Sequence, residues 1–157
     1  MTIPATVREY LDNAGVAYSV VRHPYTETSM RSAEASHVTG EDVAKGVLLK
    51  DDEGYVLAVL PATHQVKVGE VQRQLERKLE AAPEGDLATV FTDCSPGAVP
   101  ALGPAYQLDT ITDDALRGHA EVYFEAGDHE ELIRLTGGEF ESLLEGSQFM
   151  SFSGHRP

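Results

Sequence analysis

The sequence predicts a mixed α/β fold in which helices pack around a curved, partly closed, barrel-like mixed β-sheet. Strand and helix patterns alternate along the chain, and two apolar runs at residues 44–50 and 55–60 flank the short polar turn 51–54, which is typical of an antiparallel hairpin. The second run is apolar at every position, as expected for a central strand covered on both faces. Residues 1–145 are expected to form a single domain, and residues 146–157 a polar, loose C-terminal tail.

Before the hairpin, the pattern predicts a helix, a strand and a short helix. Residues 4–14 carry apolar side chains at helical spacing, with a proline in the first turn and a glycine just after the end. Residues 16–21 are rich in apolar and β-branched side chains, which favours a strand. A short helix is expected to begin at Ser29 and to end at Gly40.

After the hairpin, helix, loop and strand follow one another again. Residues 68–79 carry one apolar stripe, which predicts a helix. Residues 95–104 contain three prolines and two glycines, which predicts an irregular loop, and a loop of this kind inside a compact domain is commonly functional. Residues 106–111 predict a short strand, and residues 139–144 a last helix.

Between these two elements, residues 121–126 predict a buried strand, and the tripeptide Gly127-Asp128-His129 predicts a tight turn into a helix. Asp128 stands at the expected N-cap and Glu131 follows three residues later, which is the spacing of a capping box. Such a helix start favours an anion or a carbonyl oxygen, with the His129 imidazole beside it. The residues alone favour the simpler interpretation that Asp128 only caps the helix and His129 lies on the surface.

Composition and charge limit the class of protein. The 157 residues suffice for one compact domain with a hydrophobic core. The formal net charge is −14, from 12 Lys and Arg against 26 Asp and Glu, which disfavours binding along DNA or along a long RNA backbone. A single cysteine, with no recognisable secretion signal or membrane-spanning apolar run, favours a reducing, cytoplasmic setting and no membrane partner.

The motifs of several enzyme classes are missing from the sequence. It contains no phosphate-binding glycine loop, no Gly-x-Ser-x-Gly, no paired Cys-x-x-Cys and no His-Glu-x-x-His. The six histidines lack the spacing of metal ligands, so we expect no metal site and no cofactor. Cys94 has no activating residue near it in the sequence and is expected to be a small, half-buried residue.

Lys45 is the residue that local patterning explains least well. It stands at the head of an apolar strand, where an ammonium group is costly unless it reaches water or an anion. Gly46 beside it has no side chain and would leave room for a ligand to approach the backbone. The alternative, that Lys45 is an edge residue whose side chain reaches outward to solvent, stays open on spacing alone.

Three separated segments carry a family resemblance. They are Val-Ala-Lys-Gly-Val-Leu-Leu at 43–49 with Leu-Pro-Ala-Thr-His at 60–64, Pro-Gly-Ala-Val-Pro-Ala-Leu-Gly at 96–103, and Val-Tyr-Phe-Glu-Ala-Gly-Asp-His at 122–129. In order and spacing they resemble the YbaK family, the aminoacyl-tRNA editing domains related to the insertion domain of bacterial prolyl-tRNA synthetase. The resemblance covers residues 7–144, nearly the whole chain.

This resemblance implies a fold, a reaction and partners. The fold would be the alternating α/β fold of that family, built around a mixed, barrel-like sheet. The reaction would be metal-independent hydrolysis, in trans, of the ester that joins a wrong amino acid to the 3′ adenosine of a tRNA, as in deacylases acting on Cys-tRNA or Ala-tRNA of the proline type. The partners would be the 3′ end of the mischarged tRNA and an aminoacyl-tRNA synthetase.

The resemblance also implies which residues form the site. Lys45 would hold the phosphate or ribose of the terminal nucleotide, Gly97 would begin the loop that lines the aminoacyl pocket, and His129 would follow the Gly-x turn as the third catalytic residue. The family loop reads Gly-x-x-x-Pro, whereas this chain has Ala101 at the last position and Pro100 one place early. The implied substrate-binding residues are Lys45, Gly46, Ala98, Val99, Pro100, Ala101, Gly127 and Asp128.

Two functions therefore stay open. An ester is already activated, so a positioned water, an oxyanion donor and a held ribose could suffice for an editing hydrolase. The alternative is a non-catalytic module that uses the same pocket to bind a nucleotide or aminoacyl group or to regulate a partner. The Ala101 departure and the charge of −14 are the observations that favour the alternative.

Overall fold

A computed structural model of the protein describes residues 3–155 and has the predicted mixed α/β fold, with one large mixed sheet and helices packed around it. The helices are α1 (Ala5–Ala14), α2 (Ser29–Ala35), α3 (Val68–Leu75), α4 (Glu84–Val90) and α5 (Gly137–Leu143). The strands are β1 (Ser19–Arg22), β2 (Val43–Asp51), β3 (Gly54–Pro61), β4 (His64–Val66), β5 (Glu80–Ala81), β6 (Asp109–Asp113), β7 (Glu121–Glu125), β8 (Glu131–Thr136), β9 (Gln148–Met150) and β10 (Ser153–His155).

The large sheet has the order β1-β8-β7-β2-β3-β6-β9, with β5 paired to β2 beyond the end of β7. The pairs β2–β7, β3–β6 and β6–β9 are parallel, and the other pairs are antiparallel. Strands β4 and β10 form a separate two-stranded sheet. The mixed class is therefore confirmed, whereas closure of the sheet into a barrel stays a prediction.

The predicted hairpin is confirmed, because β2 and β3 pair in antiparallel register from Ala44 opposite Pro61 to Asp51 opposite Gly54. The Asp51 carboxylate closes the turn by accepting hydrogen bonds from the backbone N–H groups of Glu53 and Gly54, at 2.9 and 3.1 Å. The Arg77 guanidinium binds the same carboxylate through two nitrogens, each at 2.7 Å. This bidentate pair ties the turn to the residues that follow α3.

Strand β3 supplies alternate residues to two apolar cores, which explains why every position in it is apolar. Leu57 and Val59 lie in the larger core, which also contains buried residues of α1 and α5. Val56, Ala58 and Leu60 lie in the second core, which includes side chains of α3. Loop residues 95–104 contribute to the larger core, so the irregular loop rests on a rigid base.

The helix predicted after His129 is wrong, because Glu131–Thr136 is strand β8, paired with both β7 and β1. The Asp128 carboxylate does accept from the N–H groups of Glu130 and Glu131, each at 2.9 Å, as an N-cap would. However, His129 has a φ of 64°, in the left-handed region, and this turns the chain back along β7. A short apolar run cannot by itself distinguish a strand from a helix.

The loose C-terminal tail expected at residues 146–157 is wrong for residues 146–155, and residues 156–157 lie outside the described residues. Strand β9 pairs with β6, and strand β10 pairs with β4. Phe152 between them is 1% exposed, and its backbone N–H donates to the Asp113 carboxylate at 3.0 Å. A few apolar side chains and long-range strand pairing thus anchor a segment whose composition is mostly polar.

Other helix and strand boundaries differ from the predicted ones by a few residues. The strand expected at 106–111 starts at Asp109, because Gly103–Tyr106 forms a 3-10 helix. The α3 helix ends at Leu75, since Glu76 has a φ of 53°. The first strand runs over Ser19–Arg22 instead of residues 16–21. Within residues 3–155, none of the helices has the length and apolar character needed to cross a bilayer.

Candidate functional site

A small pocket of about 100 Å³ lies where β2, the 95–104 loop, the β7–β8 turn and the segment before α2 meet. The lining residues are Glu27, Thr28, Ser29, Lys45, Gly46, Gly97, Ala98, Val99, Glu125 and His129. The pocket thus brings together all three predicted catalytic residues, from three distant parts of the chain. Residues 27–29 and Glu125 also line the pocket, and the sequence analysis did not identify them.

Strand register explains how Lys45 enters this pocket. Strands β2 and β7 pair in parallel at Val43 with Tyr123 and at Ala44 with Phe124. Lys45 is the next residue along β2, and it is half-buried, with its ammonium nitrogen 3.4 Å from the Ala62 carbonyl oxygen as donor. Its charged group therefore sits where the β2–β7 pairing ends and the pocket begins.

Glu125 stands at the end of β7, so the same register brings it to the pocket beside Lys45. The residue is 6% exposed, and its Oε1 accepts hydrogen bonds from the N–H groups of Gly127 and His129, at 3.2 and 3.0 Å. Burial raises the pKa of this carboxyl, and the two backbone donors oppose that shift. The sequence did carry a signal for Glu125, because an acidic residue beside apolar strand residues is costly to bury. The same reasoning identified Lys45 as a candidate.

His129 joins three segments at the pocket wall. It is 4% exposed, and its Nε2 donates to the Pro96 carbonyl oxygen at 2.7 Å. Because a carbonyl can only accept, the proton in this hydrogen bond is on Nε2. The His129 carbonyl in turn accepts from the Thr26 N–H at 3.1 Å, and the Tyr25 ring lies 5.2 Å from the imidazole.

The loop that lines the pocket is held against both β2 and the β7–β8 turn. The Ser95 N–H donates to the Gly127 carbonyl oxygen at 2.8 Å. A Cβ added at Gly46 would lie 2.9 Å from Val99 Cγ1, so the Val99 side chain occupies space that we expected to be left for a ligand. Gly97 has a φ of 79°, a left-handed conformation that glycine adopts at little cost.

Four predicted substrate-binding residues lie behind the pocket wall and do not line it. Pro100 and Ala101 are buried, and Ala101 belongs to the larger core, so the departure from the family loop pattern affects the base of the loop. Gly127 is tightly enclosed, since a Cβ there would lie 2.5 Å from Pro4 Cγ. Asp128 is 2% exposed and stabilises the turn that carries His129.

Cys94 lies outside the pocket lining and beneath the turn. Its sulfur is 3.3 Å from the Tyr106 hydroxyl oxygen. Burial raises the pKa of the Cys94 thiol to about 11, which is the reverse of what an activated nucleophile requires. The expectation of a half-buried, chemically quiet cysteine agrees with this geometry.

A buried carboxyl pair supports the turn from the other side. Asp128 Oδ2 and Glu131 Oε1 are both buried, and neither has a hydrogen-bond partner among the described residues. One proton shared between the two carboxyl groups would satisfy both atoms. Hydrogen bonding to Asp128, burial and the nearby negative charge raise the pKa of Glu131 to about 7.

Within residues 3–155, the side chains placed to hold a metal ion are Glu41, His64 and His155, and none of them lines this pocket. The pocket is lined by an ammonium, an imidazole, loop backbone, the buried Glu125 carboxyl, a second carboxyl from Glu27, and the hydroxyl-bearing residues Thr28 and Ser29.

Comparison with solved structures supports this assignment of the fold. A "putative trans-editing enzyme for prolyl tRNA synthetase" superposes with a TM-score of 0.81 at 23% identity, covering 98% of this chain and 99% of that one. The hypothetical protein APE2540 gives a TM-score of 0.81 at 19% identity, over 95% of this chain and 99% of that one. A "putative signal transduction protein" from Marinobacter aquaeolei VT8 gives 0.79 at 19% identity, over 97% of this chain but 31% of that one. At these identities the likeness shows the fold alone.

The fold and the pocket together define a mixed α/β domain with one small polar cleft at the end of its central parallel strand pair. The chain belongs to the aminoacyl-tRNA editing domain family, whose model matches residues 23–143. This confirms the resemblance seen in the sequence. The comparison with curated proteins finds no significant match.

We predict that the Cys94 thiol reacts slowly in the folded protein. Only the thiolate attacks an alkylating reagent, and at about pH 8 a pKa of about 11 leaves far less thiolate than in the unfolded chain. Allowing for the greater reactivity of a more basic thiolate, iodoacetamide labelling should be roughly tenfold or more slower in the native than in the denatured protein. Because the chain has one cysteine, total labelling reports this residue alone. An equal or faster native rate would show that the thiol is activated.

We predict that Glu131 makes the protein less stable as the pH rises through about 7. The folded-state pKa of Glu131 lies above its ordinary value, so the folded state holds a proton that the unfolded state has lost. The contribution of protonated Glu131 to the free energy of unfolding is therefore fully present below about pH 4.5, and it is lost as the pH rises through about 7. Glu131→Gln should flatten the fall in melting temperature between about pH 5 and pH 8.

The matched control for this change is Glu130→Gln, which removes the same charge from the neighbouring, half-buried position. Its melting temperature should follow the wild-type pH dependence. Parallel curves for wild type and Glu131→Gln would refute the assignment of the raised pKa to this residue.

Proposed function

We propose that the protein is a trans-acting deacylase that hydrolyses the ester of a mischarged tRNA of the proline type, without a metal ion. The observation that carries this proposal is the convergence of Lys45, the loop from Gly97 and His129 on one small pocket. Membership of the editing-domain family and the fold shared with the trans-editing neighbour support a deacylase role.

The polar groups of the pocket suit the end of a charged tRNA. The Lys45 ammonium is a compact cation that would bind a phosphate or ribose oxygen of the terminal nucleotide. The buried Glu125 carboxyl on the same wall would face the α-ammonium of the amino acid. Tyr25 is 57% exposed beside His129 and offers a ring on which the terminal base could stack. Only the 3′ end need enter, which fits a strongly acidic surface.

Hydrolysis would depend on positioning and on stabilising developing charge. The Ala98 N–H is used within the loop, donating to the Ser95 carbonyl oxygen at 3.0 Å. The N–H groups of Gly97 and Val99 have no acceptor within residues 3–155, and we propose that they serve as donors to the oxyanion. His129 would hold the loop in place through Pro96, which makes it primarily a positioning residue.

The second candidate is a non-catalytic module that binds a nucleotide or aminoacyl group in the same pocket. The observations that favour it are Ala101 in place of the family proline and the net charge of −14. A panel of mischarged tRNAs separates the two functions. The editing proposal expects deacylation of at least one tRNA of the proline type, whereas saturable binding with no turnover on any member would establish the binding module.

We predict that Lys45→Ala lowers deacylation by about tenfold or more, since one charge-assisted contact of ~1.5–3 kcal/mol would be lost in the transition state. The melting temperature should stay near that of the wild type, and Lys45→Arg should restore only part of the rate because the guanidinium is larger and planar. The control is Lys78→Ala, which removes an exposed lysine away from the pocket. If Lys45→Ala unfolds the domain while its folded fraction keeps full activity, Lys45 is structural.

We predict that Gly97→Val abolishes most of the deacylation. The branched side chain disfavours the left-handed conformation at φ 79° and would place its Cβ 3.9 Å from His129 Nε2, at the pocket wall. The matched control is Gly118→Val, because Gly118 has a φ of 77° but open space around it and lies outside the pocket lining. Both variants should lose similar stability, and only Gly97→Val should lose turnover. Equal activity in the two variants would remove the loop from the site.

A further inference from the structure

We propose that Glu41, His64 and His155 form a binding site for a divalent transition-metal ion, separate from the deacylation pocket. Each residue offers one ligand atom, and the three atoms all lie within 4.8 Å of one another. Two imidazole nitrogens and one carboxylate oxygen are a ligand set that suits zinc and its neighbours in the first transition row.

Strand pairing brings the two histidines together. Strands β4 and β10 are antiparallel, with His155 directly opposite His64, and the two rings lie 4.4 Å apart. Glu41 belongs to the 3-10 turn Gly40–Asp42 before β2 and reaches both rings. Its Oε1 lies 2.5 Å from His155 Nε2, and its Oε2 lies 3.9 Å from His64 Nε2. The sequence concealed this cluster because its histidines are far apart along the chain.

Neighbouring hydrogen bonds set the tautomer of His64. The Ser153 hydroxyl donates to the buried Asp113 carboxylate at 2.7 Å, so its oxygen is left to accept from His64 Nδ1 at 2.8 Å. With the proton on Nδ1, Nε2 presents its lone pair toward Glu41. A hydrogen-bonded second nitrogen that orients the ring and fixes its tautomer is the usual support of a metal-binding histidine.

In the neutral His64 ring with its proton on Nδ1, Nε2 is an acceptor, and it lies 3.9 Å from Glu41 Oε2, which is also an acceptor. A bound cation would satisfy both at once, and this arrangement is the observation that points to a ligand. Thr63 also holds the carboxylate, donating from its hydroxyl to Glu41 Oε1 at 2.8 Å.

The types of ligand atom and their exposure indicate which ions the site would bind and how the ion would be coordinated. Calcium and magnesium prefer oxygen ligands, so two imidazoles favour zinc, cobalt, nickel or copper. The side chains of Glu41 and His155 are 43% and 68% exposed, so an ion would keep one or more positions open to water. Bound metal would fasten strand β10 to the turn that leads into β2.

The test is calorimetric titration of the full chain with Zn²⁺ alone. The wild type should bind one ion per chain, and Glu41→Gln and His155→Ala should each weaken binding by about tenfold or more, since even outer partners of metal ligands are worth 10- to 100-fold. His155 is largely exposed, so its truncation should leave the fold intact, which the melting temperature without metal checks. His37→Asn is the matched control, because His37 is exposed, and asparagine tolerates its φ of 58°.

A second measurement does not depend on affinity fitting. Saturating Zn²⁺ should raise the melting temperature of the wild type and of His37→Asn, and should not raise that of Glu41→Gln or His155→Ala. With Co²⁺ in place of Zn²⁺, the wild type should show the visible absorption bands of low-symmetry coordination. Glu41→Gln and His155→Ala should not show them. Absence of saturable binding, or equal binding by wild type and both variants, would overturn the site. The deacylation proposal stands or falls separately, because these residues do not line the pocket.

Discussion

The parallel pairing of β2 with β7 is the contact on which the rest of this molecule depends. It spans two residue pairs, yet it joins the β2–β3 hairpin to the β7–β8–β1 half of the sheet. Where the pairing stops, the next residues along each strand are Lys45 and Glu125, and the gap between the diverging strands becomes the pocket. The two ionisable side chains thus reach the site because the strands before them are buried and fixed in register.

Structural elements were predicted correctly from the sequence where neighbouring residues define them, and missed where distant residues define them. The hairpin, strand β7 and the irregular 95–104 loop follow from alternation, turn residues and proline content, and all were predicted. Strand β8 and the C-terminal strands were not, because a six-residue run beside a capping aspartate also fits a helix, and β9 and β10 are defined by partners far along the chain. For the site, resemblance identified the catalytic candidates. Glu125 carried an unused sequence signal, an acidic residue beside an apolar strand, whereas the metal-type cluster needed the three-dimensional structure.

The β7–β8 turn concentrates buried acidic groups in a way that a purely structural hairpin would not require. Glu125, Asp128 and Glu131 are each at most 6% exposed, and burying a carboxyl costs free energy unless hydrogen bonds compensate. Backbone N–H groups within the turn provide those bonds for Glu125 and for one oxygen of Asp128, and the same contacts hold His129 in its left-handed conformation. Within residues 3–155, Glu131 receives no such bond and is left with the shared proton described above. Buried carboxyls and a non-glycine residue in the left-handed region both cost free energy, and such costs are commonly found at functional sites.

The end of strand β3 links the pocket to the proposed metal site. Lys45 donates to the Ala62 carbonyl, and His64 begins β4 two residues later. Burial, His155 and also the Lys45 ammonium lower the pKa of His64, so the two groups lie close enough for their charges to interact. A chain of charge −14 repels a polyanionic ligand, and a divalent ion held by Glu41 would offset that repulsion beside the pocket. The ion would take no part in the hydrolysis itself, because the residues that would hold it do not line the pocket.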